Sequence, residues 1–174
     1  MGKSLLATVV MVSVMSASAY SAQGDGRVNF TGKIINDGCT VVNTINNPLE
    51  VNLGTVSSTA FTAAGDTAAP TKFTIKLKDC PTTYTSANVS FDGEAEDNDG
   101  EVLKLTQGVG VAKNVGVEIR DLNNKVVPLH TRSSDYPLDV GDNNLDFTAR
   151  YRATADVVDA GGANATTDFT IIYN

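Results

Sequence analysis

Cys39 and Cys80 are the residues whose chemistry is easiest to place. The chain opens with Lys3, an apolar run from Leu5 to Met15 and the triplet Ala17-Ser18-Ala19, the pattern of a cleavable export signal. In an oxidising compartment, two cysteines flanking strand-like segments are expected as a disulfide. Closing the loop from residue 39 to residue 80 would stabilise the fold by roughly 4 kcal/mol in the chain-entropy account. A redox-active pair would call for C-x-x-C spacing, which these two lack. His130 is the sole histidine, and its surroundings, Pro128-Leu129-His130-Thr131-Arg132, contain no nucleophile motif such as G-x-S-x-G. Zinc would be short of ligands. The acidic stretch from Glu94 to Glu101 invites calcium, but with Gly100 at the sixth position of an EF-hand loop, Ala95 would stand first and Thr106 last. It reads as a solvated turn. No enzyme activity, cofactor, metal or small-molecule substrate is expected from these residues.

The apolar run near the start is too short for the ~20 residues of a membrane-spanning helix. Cleavage is expected after Ala19, with Ala22 as the other candidate, and leaves a length suited to one domain. The signal takes one lysine of the 13 basic residues and none of the 20 acidic ones, so the mature chain carries a formal charge of −8. That balance does not suit nucleic acid or an anionic membrane surface. Val, Thr, Asn, Asp and Gly recur, Trp is absent, and no window sustains 3.6-residue apolar spacing; the composition points to an all-β fold.

Period-2 alternation marks the strands. It is cleanest from Lys72 to Cys80, with Phe73, Ile75 and Leu77 on one face and lysines on the other. Similar runs cover Gly38–Val42, Leu49–Leu53, Ala87–Phe91, Val102–Leu105 and Asn144–Ala153; Val115–Arg120 and Lys125–Leu129 read as a hairpin across 121–124. The Ala-, Thr- and Gly-rich piece from Ser57 to Thr71 reads as a surface loop or an edge excursion. Short strands with a turn signal every dozen or so residues suggest a Greek-key sandwich.

The two ends of the chain carry the remaining information. Residues 27–34 alternate polar and apolar, with Val28, Phe30 and Ile34 on one face and Gly32 at the position without a side chain. At the other end Phe169, Ile171 and Tyr173 share a face of a last strand, 167–174, with no further segment to pair with it. An unpaired edge is a template for a strand from another chain. From the pattern alone, residues 27–34 pair either with a neighbouring molecule or within their own domain.

The run Gly26-Arg27-Val28-Asn29-Phe30-Thr31-Gly32-Lys33-Ile34-Ile35 ahead of Cys39 resembles the type 1 fimbrial major subunits of the chaperone-usher pathway in Gram-negative bacteria. So do Leu77-Lys78-Asp79-Cys80, the piece from Leu145 to Thr154, and the closing Phe169-Thr170-Ile171-Ile172-Tyr173-Asn174. The resemblance implies an incomplete immunoglobulin-like sandwich lacking its seventh strand and completed by a donated one. It implies a signal at 1–19, a donor extension at 20–36 and a pilin domain at 37–174. Val28, Phe30, Gly32 and Ile34 would be the donated face; Phe169, Ile171 and Tyr173 one wall of the groove; and Tyr173 with Asn174 a contact for the chaperone. The implied partners are a periplasmic chaperone, an outer-membrane usher and neighbouring pilins, and the implied location is a surface fimbrium reached through the periplasm. The reading from another class is a secreted monomeric β-sandwich binding module.

Overall fold

Alternating side chains let each strand bury one face, and in the computed structural model two such faces close over each other. Residues 27–34, 38–98 and 100–174 are described; the expected export signal and the expected cleavage sites after Ala19 and Ala22 lie outside them. The chain divides after Ile34 into a leading unit and a sandwich unit, Ile35–Asn174. In the leading unit residues 27–34 have no regular secondary structure, and Val28, Phe30 and Ile34 are 74%, 92% and 98% exposed.

The strands of the sandwich are β1 (Thr40–Val41), β2 (Thr67–Cys80), β3 (Ser86–Asp92), β4 (Val102–Leu103), β5 (Val115–Arg120), β6 (Tyr136–Pro137), β7 (Gly141–Ala153) and β8 (Asp168–Tyr173). They form a five-stranded sheet in the order β1-β2-β7-β5-β4 and a three-stranded sheet in the order β6-β3-β8. Every strand pairing within these sheets is antiparallel. The longest ladder, β2 on β7, sets Phe73 opposite Phe147 and Ile75 opposite Leu145. Phe147 stacks on Phe73 at 5.5 Å and meets Phe91 of the other sheet edge-on at 5.2 Å, so aromatic contacts tie the sheets together. Ile75, Leu77, Val89, Phe91, Leu145 and Phe147 are at most 2% exposed.

Three sequence expectations are corrected. The strand expected at 72–80 begins at Thr67, inside the piece read as a surface loop or an edge excursion, because Thr67, Ala68 and Thr71 pair with β7 across a bulge at Ala69, where φ is +55°. The pairing is supplied by β7 and not by local propensity. The expected hairpin reduces to one bridge, Arg120 to Val126, around a turn in which Asp121 Oδ1 accepts from the Asn123 and Lys125 amides. Residues 49–53 form no strand, although Val51 and Leu53 pack against the core.

Among the described residues Glu118 and Asp121 are the buried carboxylates, and Glu118 is held by arginines. Glu118 on β5 is 1% exposed and accepts from Arg120 Nε at 2.6 Å, Arg150 Nε at 2.7 Å and Arg152 Nη1 at 3.0 Å. Arg152 also pairs with Glu101 at 2.6 Å. Burial pushes the Glu118 carboxyl up, while hydrogen bonds and charge from Arg120 and Arg150 more than offset this and hold it below the usual carboxylate range.

Candidate functional site

β8 pairs with β3 along one edge, from Asp92–Asp168 to Ala87–Tyr173, and its other edge meets no strand among the described residues. Phe169, Ile171 and Tyr173 point to the core side yet stay half-buried, whereas Val89 and Phe91 beside them on β3 are closed off. The backbone of 48–56 is also unpaired: among the described residues it makes no backbone–backbone hydrogen bond, and the Gly54 amide turns to Asn52 Oδ1. Its half-buried Val51, Leu53 and Val56 pack against the same core as Phe169, Ile171 and Tyr173.

Further contacts define the surroundings of β8 and of this segment. At one end Gly38 lies against the Tyr173 ring, where a Cβ would stand 3.0 Å from Cε2, and Tyr173 donates its hydroxyl to the Cys39 carbonyl at 3.4 Å. Tyr84 packs on Tyr173 with ring centres 5.2 Å apart. Burial here pushes the Tyr173 phenol above its ordinary pKa. At the other end Val56, Phe61, Val115, Tyr151 and Val158 line a hollow of 410 Å³ with residues 161–164, which lead into β8. The unpaired edge of β8 and the unpaired segment 48–56 thus lie over one apolar core, with the Tyr173 contact at the end of β8 and the hollow beside Val56.

Cys39 and Cys80 are bonded to each other, with Cα atoms 4.2 Å apart, which joins the start of the sandwich to the end of β2. Asn174 continues the β3 ladder by one residue: its amide donates to the Ser86 carbonyl and its carbonyl accepts from the Thr85 amide. Its side chain donates to Asn88 Oδ1 at 2.8 Å. Of the residues singled out in the leading segment, Val28, Phe30 and Ile34 are exposed, and a Cβ on Gly32 would meet nothing within 4 Å. Sequence reasoning missed Gly38, Tyr84, Asn88 and the lining of the hollow; only Gly38, beside a cysteine, carried any local signal.

An all-β sandwich with a vacant edge agrees with comparisons to known proteins. The family described as Fimbrial protein matches residues 28–174. The chain belongs to the fimbrial protein family. This pilin is 39% identical over 173 residues to long polar fimbria protein A of Salmonella typhimurium, covering 98% of this chain and 97% of that protein. It is 40% identical over 161 residues to the C chain of type-1 fimbrial protein of Escherichia coli, covering 91% and 88%. Among solved structures, the P pilus rod subunit superposes with a TM-score of 0.66 at 18% identity over 79% of the pilin and all of that chain. A type I fimbria protein of Burkholderia pseudomallei gives 0.61 at 33% identity, covering 84% and 96%. These relatives are structural subunits, and the pilin is not an enzyme.

Proposed function

We propose that this pilin polymerises by donor-strand exchange into an adhesive surface filament, the leading segment of one copy filling the vacant edge of the next. The observation that carries this reading is the free edge of β8, with Phe169, Ile171 and Tyr173 half-buried and the backbone of 48–56 unpaired over the same core. Val28, Phe30 and Ile34 supply the missing side chains, and burying three such groups is worth roughly 5–9 kcal/mol before ordering costs. Gly32 leaves room where backbones approach closely. Main-chain bonds along β8 give the affinity, and the alternate side chains set the register. Donor and acceptor are different surfaces, so the contact does not close and builds a filament.

In this reading the export signal sends the chain to the periplasm, and a chaperone lends a strand to the same edge while contacting Tyr173 and Asn174. An outer-membrane usher then passes the subunit to the growing fimbrium. The test is Phe30→Asp, which puts a charge on the donor strand and leaves the sandwich untouched. Expected is accumulation of folded subunit with its chaperone and loss of filaments in negative-stain microscopy. Filaments of normal length from Phe30→Asp would overturn the proposal.

A further inference from the structure

The outer faces of the two sheets carry opposite charge. On the five-stranded sheet Lys72, Lys76 and Lys78 of β2 are exposed, alternate with the buried Ile75 and Leu77, and form no ion pair among the described residues. Their neighbours across the ladder on β7 include the neutral Thr148 and Asn144. Next to this row the Glu118 cluster holds three arginines against two glutamates, so it too is net positive. Asp142 and Asp146 are the exposed anions of β7 on this face, and Thr74 donates to Asp146 at 2.6 Å.

The three-stranded sheet is the reverse. Asp92 and Asp168 are exposed and directly opposite each other on the β3–β8 ladder. Asp135 stands at the other end of β8, accepting from Asn88 Nδ2 at 2.8 Å and Asn174 Nδ2 at 3.3 Å. Arg132, bridged to Ser90, is the cation on this side, and His130 Nδ1 lies 3.1 Å from Asp92. Like charges directly opposite on a ladder destabilise it. The Asp92–Asp168 pair is thus unfavourable within its own copy, and lysines of a second copy, which hold no ion pair among the described residues, would relieve it.

The two rows also match in length. Lys72 to Lys78 and Asp168 to Asn174 each advance six residues, about 20 Å at the rise of a strand. We propose that the outer face of the five-stranded sheet docks on the outer face of the three-stranded sheet of a second copy, with the β2 lysines set against Asp92, Asp168 and Asp135. The occupant is a second copy because the same molecule carries a row of matching sign and span. The contact uses neither the leading segment nor the free edge of β8, so it is lateral and coexists with donor-strand exchange. It rests on the polymerisation reading only for its strength: exposed ion pairs are weak one at a time, and a filament repeats them in register.

The test compares parent filaments with two exposed, charge-reversed variants, Lys72→Glu with Lys76→Glu, and Asp168→Lys with Thr170→Lys. Lateral association is read by sedimentation and negative-stain microscopy at about 0.02 M and about 0.5 M NaCl, where the screening length falls from about 20 Å to about 4 Å. Expected is association of the parent at low salt, loss at high salt, at least about tenfold weakening in either variant alone, and recovery when the two variants are mixed. Unchanged association in both variants, or no recovery on mixing, would overturn the inference. Binding of a sulfated polysaccharide to the lysine row without self-association would overturn it as well. If the chain forms no filaments, the polymerisation reading fails, and the same comparison on unpolymerised chains by sedimentation equilibrium still decides the face-to-face contact.

Discussion

Supplying the missing strand in cis should turn the pilin into a stable, inert monomer. The perturbation appends a copy of residues 27–34 after Asn174 through a Gly/Ser linker. Val28, Phe30 and Ile34 are 74%, 92% and 98% exposed, so nearly their whole side chains remain to be buried, worth roughly 5–9 kcal/mol in total. The free edge of β8 adds main-chain hydrogen bonds at about 0.5–1.5 kcal/mol each. Ordering eight residues opposes this, but if as little as about 3 kcal/mol survives, melting rises by roughly 6–12 °C for a domain of this size. Linker length also reports strand direction. A linker of about four residues reaches at most about 13 Å and admits only an antiparallel insert that starts beside Tyr173, whereas a parallel insert must first return about 20 Å to Asp168. At about twelve residues the flexible linker spans that distance on average, and both directions are open. The assay is thermal melting by circular dichroism together with size-exclusion chromatography. A control carries Ser at the positions copied from Val28, Phe30 and Ile34. No rise in melting over this control, at either linker length, would refute the vacant-edge reasoning.

Replacing Cys39 and Cys80 together by Ser should cost about 2–4 kcal/mol and lower the yield of folded protein; unchanged melting would count against a stabilising bond. Glu118→Gln keeps the shape of the side chain but leaves Arg120, Arg150 and Arg152 facing each other, and denaturant titration should show a loss of about 3 kcal/mol, the lower end for breaking a buried pair because the arginines are partly exposed. The folded-state pKa of Glu118 is lowered, so its contribution is fully present above the unfolded value near pH 4.5 and is lost as pH falls through the folded value; the parent should weaken on acidification in that window, and Glu118→Gln should do so less. Gly116→Ala would drive a Cβ into the Leu103 carbonyl and should detach β4 from β5, read as faster amide exchange at Val102 and Leu103.

Strands that bury one face and pair locally were legible. The alternation in 72–80, 87–91, 115–120 and 144–153 places β2, β3, β5 and β7 because the residues that alternate are those the core demands. Residues 49–53 alternate just as well, yet pattern records which side chains are apolar and not whether a ladder partner exists. The start of β2 hid among small residues because β7, distant in sequence, supplies its partner. The wall of the candidate site, Phe169, Ile171 and Tyr173, could be named from alternation alone. Its ends could not: Tyr84 and Gly38 meet Tyr173 only through tertiary contact, and Val56 joins Tyr151 at the hollow for the same reason. The Glu118 cluster needs the β5–β7 register, which sets Glu118 opposite Arg150 and brings Arg152 alongside.

Cys39 lies five residues beyond Ile34, at the mouth of the sandwich, and is covalently joined to the last residue of β2. A mechanical load entering through the leading segment meets this cross-link before it reaches β1, whose two residues would otherwise unzip one hydrogen bond at a time. The force is handed instead to the fourteen-residue β2 and spread over its ladder with β7, so tugging at one copy loads its best-anchored strand and spares its weakest.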